Sequence, residues 1–123
     1  MGHKPLQILL VDDDQGHVEA IHNAFLSFDK SALIEVATTL FEAFNVLERI
    51  KPDLVITDWV LPDGKGTDLL AFAKGKPMFP LIVVTDCGNE KTAVDAIKAG
   101  ALDYVVKSPE VYADLIKKLG LRH

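Results

Sequence analysis

Five short apolar runs, each followed by a helical pattern, constrain this chain more than any other feature. They are LQILLV (6–11), LIEVA (33–37), DLVIT (53–57), PLIVVT (80–85) and LDYVV (102–106). Runs this uniformly apolar have no wet face, so both sides of each strand must be covered. Strands alternating with helices place those covers on both faces of a parallel sheet. The second run is less apolar because of Glu35, as expected of an edge strand.

The intervening segments read as helices with definable ends. From Asp14 to about Phe28, the residues Val18, Ile21, Phe25 and Phe28 share one face. Thr39 to Glu42 has the form of a capping box. It opens a helix to about Lys51, with Ala43, Val46, Leu47 and Ile50 inward, and Pro52 stops it. Leu61 to Gly66 is turn chemistry, with Gly66 as a permissive backbone, before a short helix from Thr67 to Lys74. Asn89 suits an N-cap for a helix closed at Gly100, and Ser108-Pro109 opens a last helix to about Leu119. With 123 residues the chain holds one domain. We place it at 4–121 and give residues 1–3 and 122–123 no weight. Right-handed crossovers leave few topologies, and we expect the flavodoxin-like order 2-1-3-4-5. The result is a three-layer α/β sandwich of five parallel strands and five helices.

That order gives the polar residues ending the runs their meaning. ILLV runs into Asp12-Asp13, LVIT into Asp58, LIVV into Thr85 and YVV into Lys107. Open α/β sheets build their sites at the carboxyl ends of the strands. Three carboxylates, a hydroxyl and an ammonium gathered there describe a metal-assisted phosphoryl site. Packed carboxylates repel, which raises their pKa values unless a cation relieves them. Mg²⁺ (or Mn²⁺), which prefers oxygen ligands, is the expected cofactor. Asp14 alone reads as a helix cap. His17 and His22 read as surface residues away from the strand ends, and Cys87 as a bystander.

Composition narrows the classes further. The net charge of −5 argues against nucleic acid as a direct partner. No run is long enough to cross a bilayer, so no membrane association is expected. A single cysteine leaves no disulfide framework, and a cytoplasmic setting is expected.

The motifs together resemble the receiver domain of two-component response regulators, the CheY-like family, over essentially the full length. They are Asp12-Asp13, the D-x-x-L-P-x-x-x-G segment from Asp58 to Gly66, Thr85, and Asp-Tyr-Val-Val-Lys at 103–107. The resemblance implies that Asp58 accepts a phosphoryl group from a histidine kinase or phosphotransfer domain. It implies metal ligation by Asp13, Asp58 and the Val60 carbonyl, with Asp12 direct or through water. Thr85 and Lys107 would contact the phosphoryl group, and Thr85 with Tyr104 would form the switch. The output would be read from the fourth helix, fifth strand and fifth helix by a downstream protein or fused effector, with dimerisation on activation an option. Such a chain is a signalling switch, not an enzyme beyond its own phosphorylation and dephosphorylation. It would be a stand-alone regulator or a domain of a longer protein, and its abrupt end leans toward the latter.

Two positions depart from the family pattern, and two more flank the site. Asp86 stands where a small residue is usual, and its carboxylate either repels an incoming small phosphodonor or simply points to solvent. Lys107-Ser108 replaces Lys-Pro, which favours a trans link there. Val60 and Cys87 carry no charge to orient water, so slow hydrolysis of the phosphorylated form is expected. Two rivals fit less well. A haloacid-dehalogenase-like phosphatase would use Asp12 and Asp14, but Gln15-Gly16 follows instead of Gly-Thr. A flavodoxin-like FMN binder would need a Ser/Thr-Gly-rich phosphate loop where Asp12-Asp13-Asp14 stands.

Overall fold

The strand-helix alternation is realised in the computed structural model, which describes residues 5–72, 79–86 and 88–118. In chain order the elements are β1 (Gln7–Val11), α1 (Gln15–Phe28), β2 (Leu33–Ala37), α2 (Leu40–Arg49), β3 (Leu54–Asp58), β4 (Val60–Leu61), β5 (Gly64–Lys65), α3 (Asp68–Phe72), β6 (Leu81–Thr85), α4 (Glu90–Lys98), β7 (Asp103–Val106) and α5 (Pro109–Lys118). Five strands form one parallel sheet in the order β2-β1-β3-β6-β7, the expected 2-1-3-4-5 topology. The numbering gains two because β4 and β5 form a small antiparallel hairpin. Only a turn was expected there. Two-residue strands carry too little pattern to be read from sequence.

Side-chain alternation divides the core in two. Ile8, Leu10, Leu54, Ile56, Ile82 and Val84 face Ile21 and Phe25 of α1 and Tyr112, Leu115 and Ile116 of α5. Leu9, Val11, Val55, Leu81 and Val83 face the opposite layer, formed by α2, α3 and α4. Burying an aliphatic side chain contributes about 1.5–3 kcal/mol, and the central strands do so on both faces.

The caps are local and match their chemistry. Asp14 caps α1, accepting from the His17 amide at 3.2 Å. Thr39 caps α2 by accepting from Glu42 N, while Glu42 reaches back one residue beyond the usual box to the Thr38 amide at 2.7 Å. Asn89 caps α4, and Gly100 follows that helix at φ 113°. Ser108 Oγ accepts from Val111 N at 3.3 Å at the start of α5. Glu35 on the edge strand β2 pairs with Arg49 at 3.5 Å. The expected helix ends at Lys74 and Leu119 lie outside the described residues, as does Cys87. No described peptide bond is cis, so Lys107–Ser108 is trans.

Candidate functional site

Register fixes the site. Val11 pairs with Thr57, Asp58 with Val84, and Thr85 with Val106. Asp12, Asp58, Thr85 and Lys107 therefore end neighbouring strands at one level. Asp12, Asp13 and Asp58 each offer an oxygen, and the three oxygens lie within 4.8 Å of one another.

Asp12 is fully buried, Asp58 half-buried and Asp13 exposed. The Asp12 amide donates to Ala37 O at 3.0 Å, and Asp12 Oδ1 accepts from Asp14 N at 2.9 Å. Its Oδ2 lies 3.1 Å from Lys107 Nζ as an ion pair, without the alignment of a hydrogen bond. Lys107 Nζ also donates to Asp58 Oδ2 at 3.3 Å. One ammonium thus pairs with two carboxylates, and the third, Asp13, stands beside them without it. Burial pushes the Asp58 carboxyl above the usual aspartate range, and the Asp12 charge adds to this against the pull of Lys107. Burial works against the Lys107 ammonium, but Asp12 and Asp58 together outweigh it and hold its pKa up. The site is short of positive charge, and its free donors are hard oxygens, the set that suits Mg²⁺.

The segment after Asp58 is braced. Trp59 N donates to Val84 O, and Gly66 N to Trp59 O. Lys65 Nζ lies over the Trp59 ring, 5.0 Å from its centroid. Asp63 accepts from the Leu40 and Phe41 amides at 2.8 and 3.0 Å, tying the hairpin to the start of α2. Gly66 has a different role from the one expected. Among the described residues the glycines with positive φ are Gly64 and Gly100. A Cβ on Gly66 would collide with Asp58 O and Thr57 Oγ1, so close approach, not backbone freedom, requires glycine here.

Several contributors were missed. The buried Thr57 hydroxyl donates to Asp58 O at 3.0 Å. Its signal was a polar residue in a strand covered on both faces, where a hydroxyl must find a partner. His17 is not remote from the strand ends: its Nδ1 lies 3.5 Å from Asp14 and its Nε2 lies 3.6 Å from Asp86. The first turn of a helix that starts at a strand end cannot leave that end. Asp14 serves as the α1 cap, the role read for it, and not as the second acid of a D-x-D pair. Thr85 is buried. Tyr104 is partly buried, with its phenol 2.6 Å from Thr92 Oγ1 of α4.

Comparison with known proteins agrees with this geometry. Residues 8–119 match the family model described as response regulator receiver domain. The methanogenesis regulatory protein FilR1 of Methanothrix harundinacea is 39% identical over 91% of the chain, which spans 25% of that relative's length. A CheY-like receiver domain protein from Methanospirillum hungatei superposes with a TM-score of 0.78 at 31% identity, covering 95% of this chain and 92% of that one. The beryllofluoride-activated NtrC4 receiver domain dimer gives 0.78 at 29% identity, covering 91% and 93%. The fold and the strand-end acids thus define a signalling receiver of the two-component type. The chain belongs to the response regulator receiver family.

Proposed function

We propose that Asp58 is the phosphoacceptor and that a histidine kinase or phosphotransfer domain is the donor. In the reaction, an Asp58 carboxylate oxygen attacks phosphorus, the P–N bond of the phosphohistidine breaks, and the imidazole leaves with the bond electrons. The observation that carries this reading is the cluster of Asp12, Asp13 and Asp58 oxygens, with Lys107 paired to Asp12 and Asp58. Asp12, Asp13, Asp58 and the Val60 carbonyl would hold Mg²⁺, which when bound offsets the charge of the transferring group. Lys107 holds Asp58 Oδ2 by hydrogen bond and supplies the fixed counter-charge for phosphoryl oxygens. Thr85, at the next strand end, donates its hydroxyl to one of them.

The phosphoryl group carries about −1.5 to −2 charge in place of the single negative charge of the carboxylate. That charge draws Thr85 and Lys107 and biases the surface of α4, β7 and α5, with Tyr104 as the moving aromatic. Val94, Ile97, Leu102 and Val106 are exposed apolar residues along α4 and β7, the composition a protein partner or a second copy would cover. The receiver is a regulatory switch acting in the cytoplasm, with its effector in the same or another chain.

Trp59, next to Asp58, supplies the assay. Mg²⁺ and then beryllofluoride are titrated against its fluorescence in the wild type and Asp58→Asn. A saturable beryllofluoride response in the wild type alone is expected. An equal response in the variant would refute the assignment.

A further inference from the structure

The His17 imidazole of α1 lies between two carboxylates at the rim of the site, Asp14 and Asp86. His17 occupies the first turn of α1 and is largely shielded, its side chain 24% exposed. Its ring presents Nδ1 to Asp14 Oδ2 at 3.5 Å and Nε2 to Asp86 Oδ1 at 3.6 Å. Asp14 belongs to the loop after β1, and Asp86 follows Thr85 directly after β6. These strands are not neighbours, because β3 with Asp58 lies between them. The imidazole therefore lies between the two segments that flank the proposed phosphoacceptor.

Asp86 makes this arrangement consequential. Its side chain is 73% exposed, and its ion-pair contact among the described residues is with His17 at 3.6 Å, beyond hydrogen-bonding distance. A fourth carboxylate at the rim of a site with three already, and one ammonium, opposes an incoming phosphoryl group. Drawn toward His17, the carboxylate lies on the α1 side, 3.6 Å from the ring nitrogen Nε2. His22, the other histidine on the helix, has no such partner among the described contacts.

We propose that His17 is a positioning residue for phosphoryl transfer, acting through Asp86 by holding that carboxylate aside from the opening over Asp58. This rests on the phosphoacceptor reading of Asp58. Its consequence is specific. Removing the imidazole frees Asp86 to sample the mouth, so transfer slows, whereas removing Asp86 makes the imidazole dispensable.

The test uses the purified chain with acetyl phosphate as the probe donor and Mg²⁺, following formation of the phosphorylated form on a phosphate-affinity gel. His17→Ala is expected to lower the rate constant about 1.5- to fivefold at low salt, the range for a partly exposed charge contact. Asp86→Ala is expected to match or exceed the wild type, and the double variant to match Asp86→Ala. His17→Gln, which keeps an N–H donor, should recover part of the loss. The deficit of His17→Ala should shrink as ionic strength rises, a response that simple loss of helix stability would not give. A His17→Ala rate equal to the wild type, or a double variant as slow as His17→Ala alone, would overturn the proposal. If Asp58→Asn is phosphorylated like the wild type, or the wild type takes no phosphate, the phosphoacceptor reading itself fails.

Discussion

Substituting Gly66 by alanine should destabilise the protein, although the backbone conformation permits alanine. Gly66 is not among the positive-φ glycines. At such a site, Gly→Ala ordinarily stabilises by about 0.4–1 kcal/mol, because it restricts the unfolded chain. Here the added methyl would overlap Asp58 O and Thr57 Oγ1. Thr57 is fully buried, and Asp58 belongs to a strand paired on both sides, so neither can retreat cheaply. Overpacking typically costs about 1–3 kcal/mol. Loss of the bond from Thr57 to Asp58 O adds about 0.5–1.5 kcal/mol. Less the unfolded-chain gain, the sum is about 1–4 kcal/mol, which lowers Tm by about 4–15 °C for a domain of this size. Gly16 is the internal control. A Cβ there would meet Asp14 Oδ1 at 3.4 Å, an ordinary contact in the first turn of α1, so Gly16→Ala should be neutral or stabilising. Urea unfolding of the three proteins, with Mg²⁺ affinity from Trp59 fluorescence, checks both signs. The same stability for Gly66→Ala and wild type would refute the close-approach argument.

Two further outcomes follow from the charge imbalance. The Asp58 carboxyl is held above its ordinary value of 3.8, so the folded state binds its proton more tightly than the unfolded chain does. Stability from this group is therefore greatest at low pH and is lost as pH rises through the folded pKa. Asp58→Asn should be the more stable protein in chelator at neutral pH, an advantage that vanishes below about pH 4. Mg²⁺ at a hundredfold excess over its Kd should reverse the order by adding about 2.7 kcal/mol to the wild type alone, as read by thermal unfolding. Lys107→Met strands Asp12 and Asp58 without their counter-charge and should cost about 1–3 kcal/mol in chelator. The loss is smaller than for a fully buried pair because Asp58 can take a proton. Adding Mg²⁺ should restore part of it, and a variant as stable as wild type in chelator would contradict the ion-pair account.

What the sequence disclosed follows from how each feature is encoded. The sheet was legible because β1, β3 and β6 are apolar on both faces, a pattern only a covered parallel sheet requires. The strand-end residues Asp12, Asp13, Asp58, Thr85 and Lys107 were legible because topology alone brings them together. Contacts set by side-chain direction were not. His17 looked remote because helical periodicity describes the face toward the core and says nothing of what the first turn overhangs. Gly66 looked like a turn residue because glycine in a turn segment has two explanations, and only coordinates separate free φ from missing Cβ. The Asp63 cap on α2 joins positions more than twenty residues apart, beyond any local motif.

That cap has a mechanical consequence. The residues just downstream of Asp58 are stitched at four places: Trp59 to β6, Gly66 to Trp59, Asp63 to α2, and the Lys65 amide to Asp68. A chain fastened this way behaves as a rigid abutment. If Asp58 is the phosphoacceptor as proposed, work done there by a change in its charge would pass to the opposite flank, where Thr85 and Asp86 lead into α4 and where Tyr104 meets that helix through a hydroxyl pair.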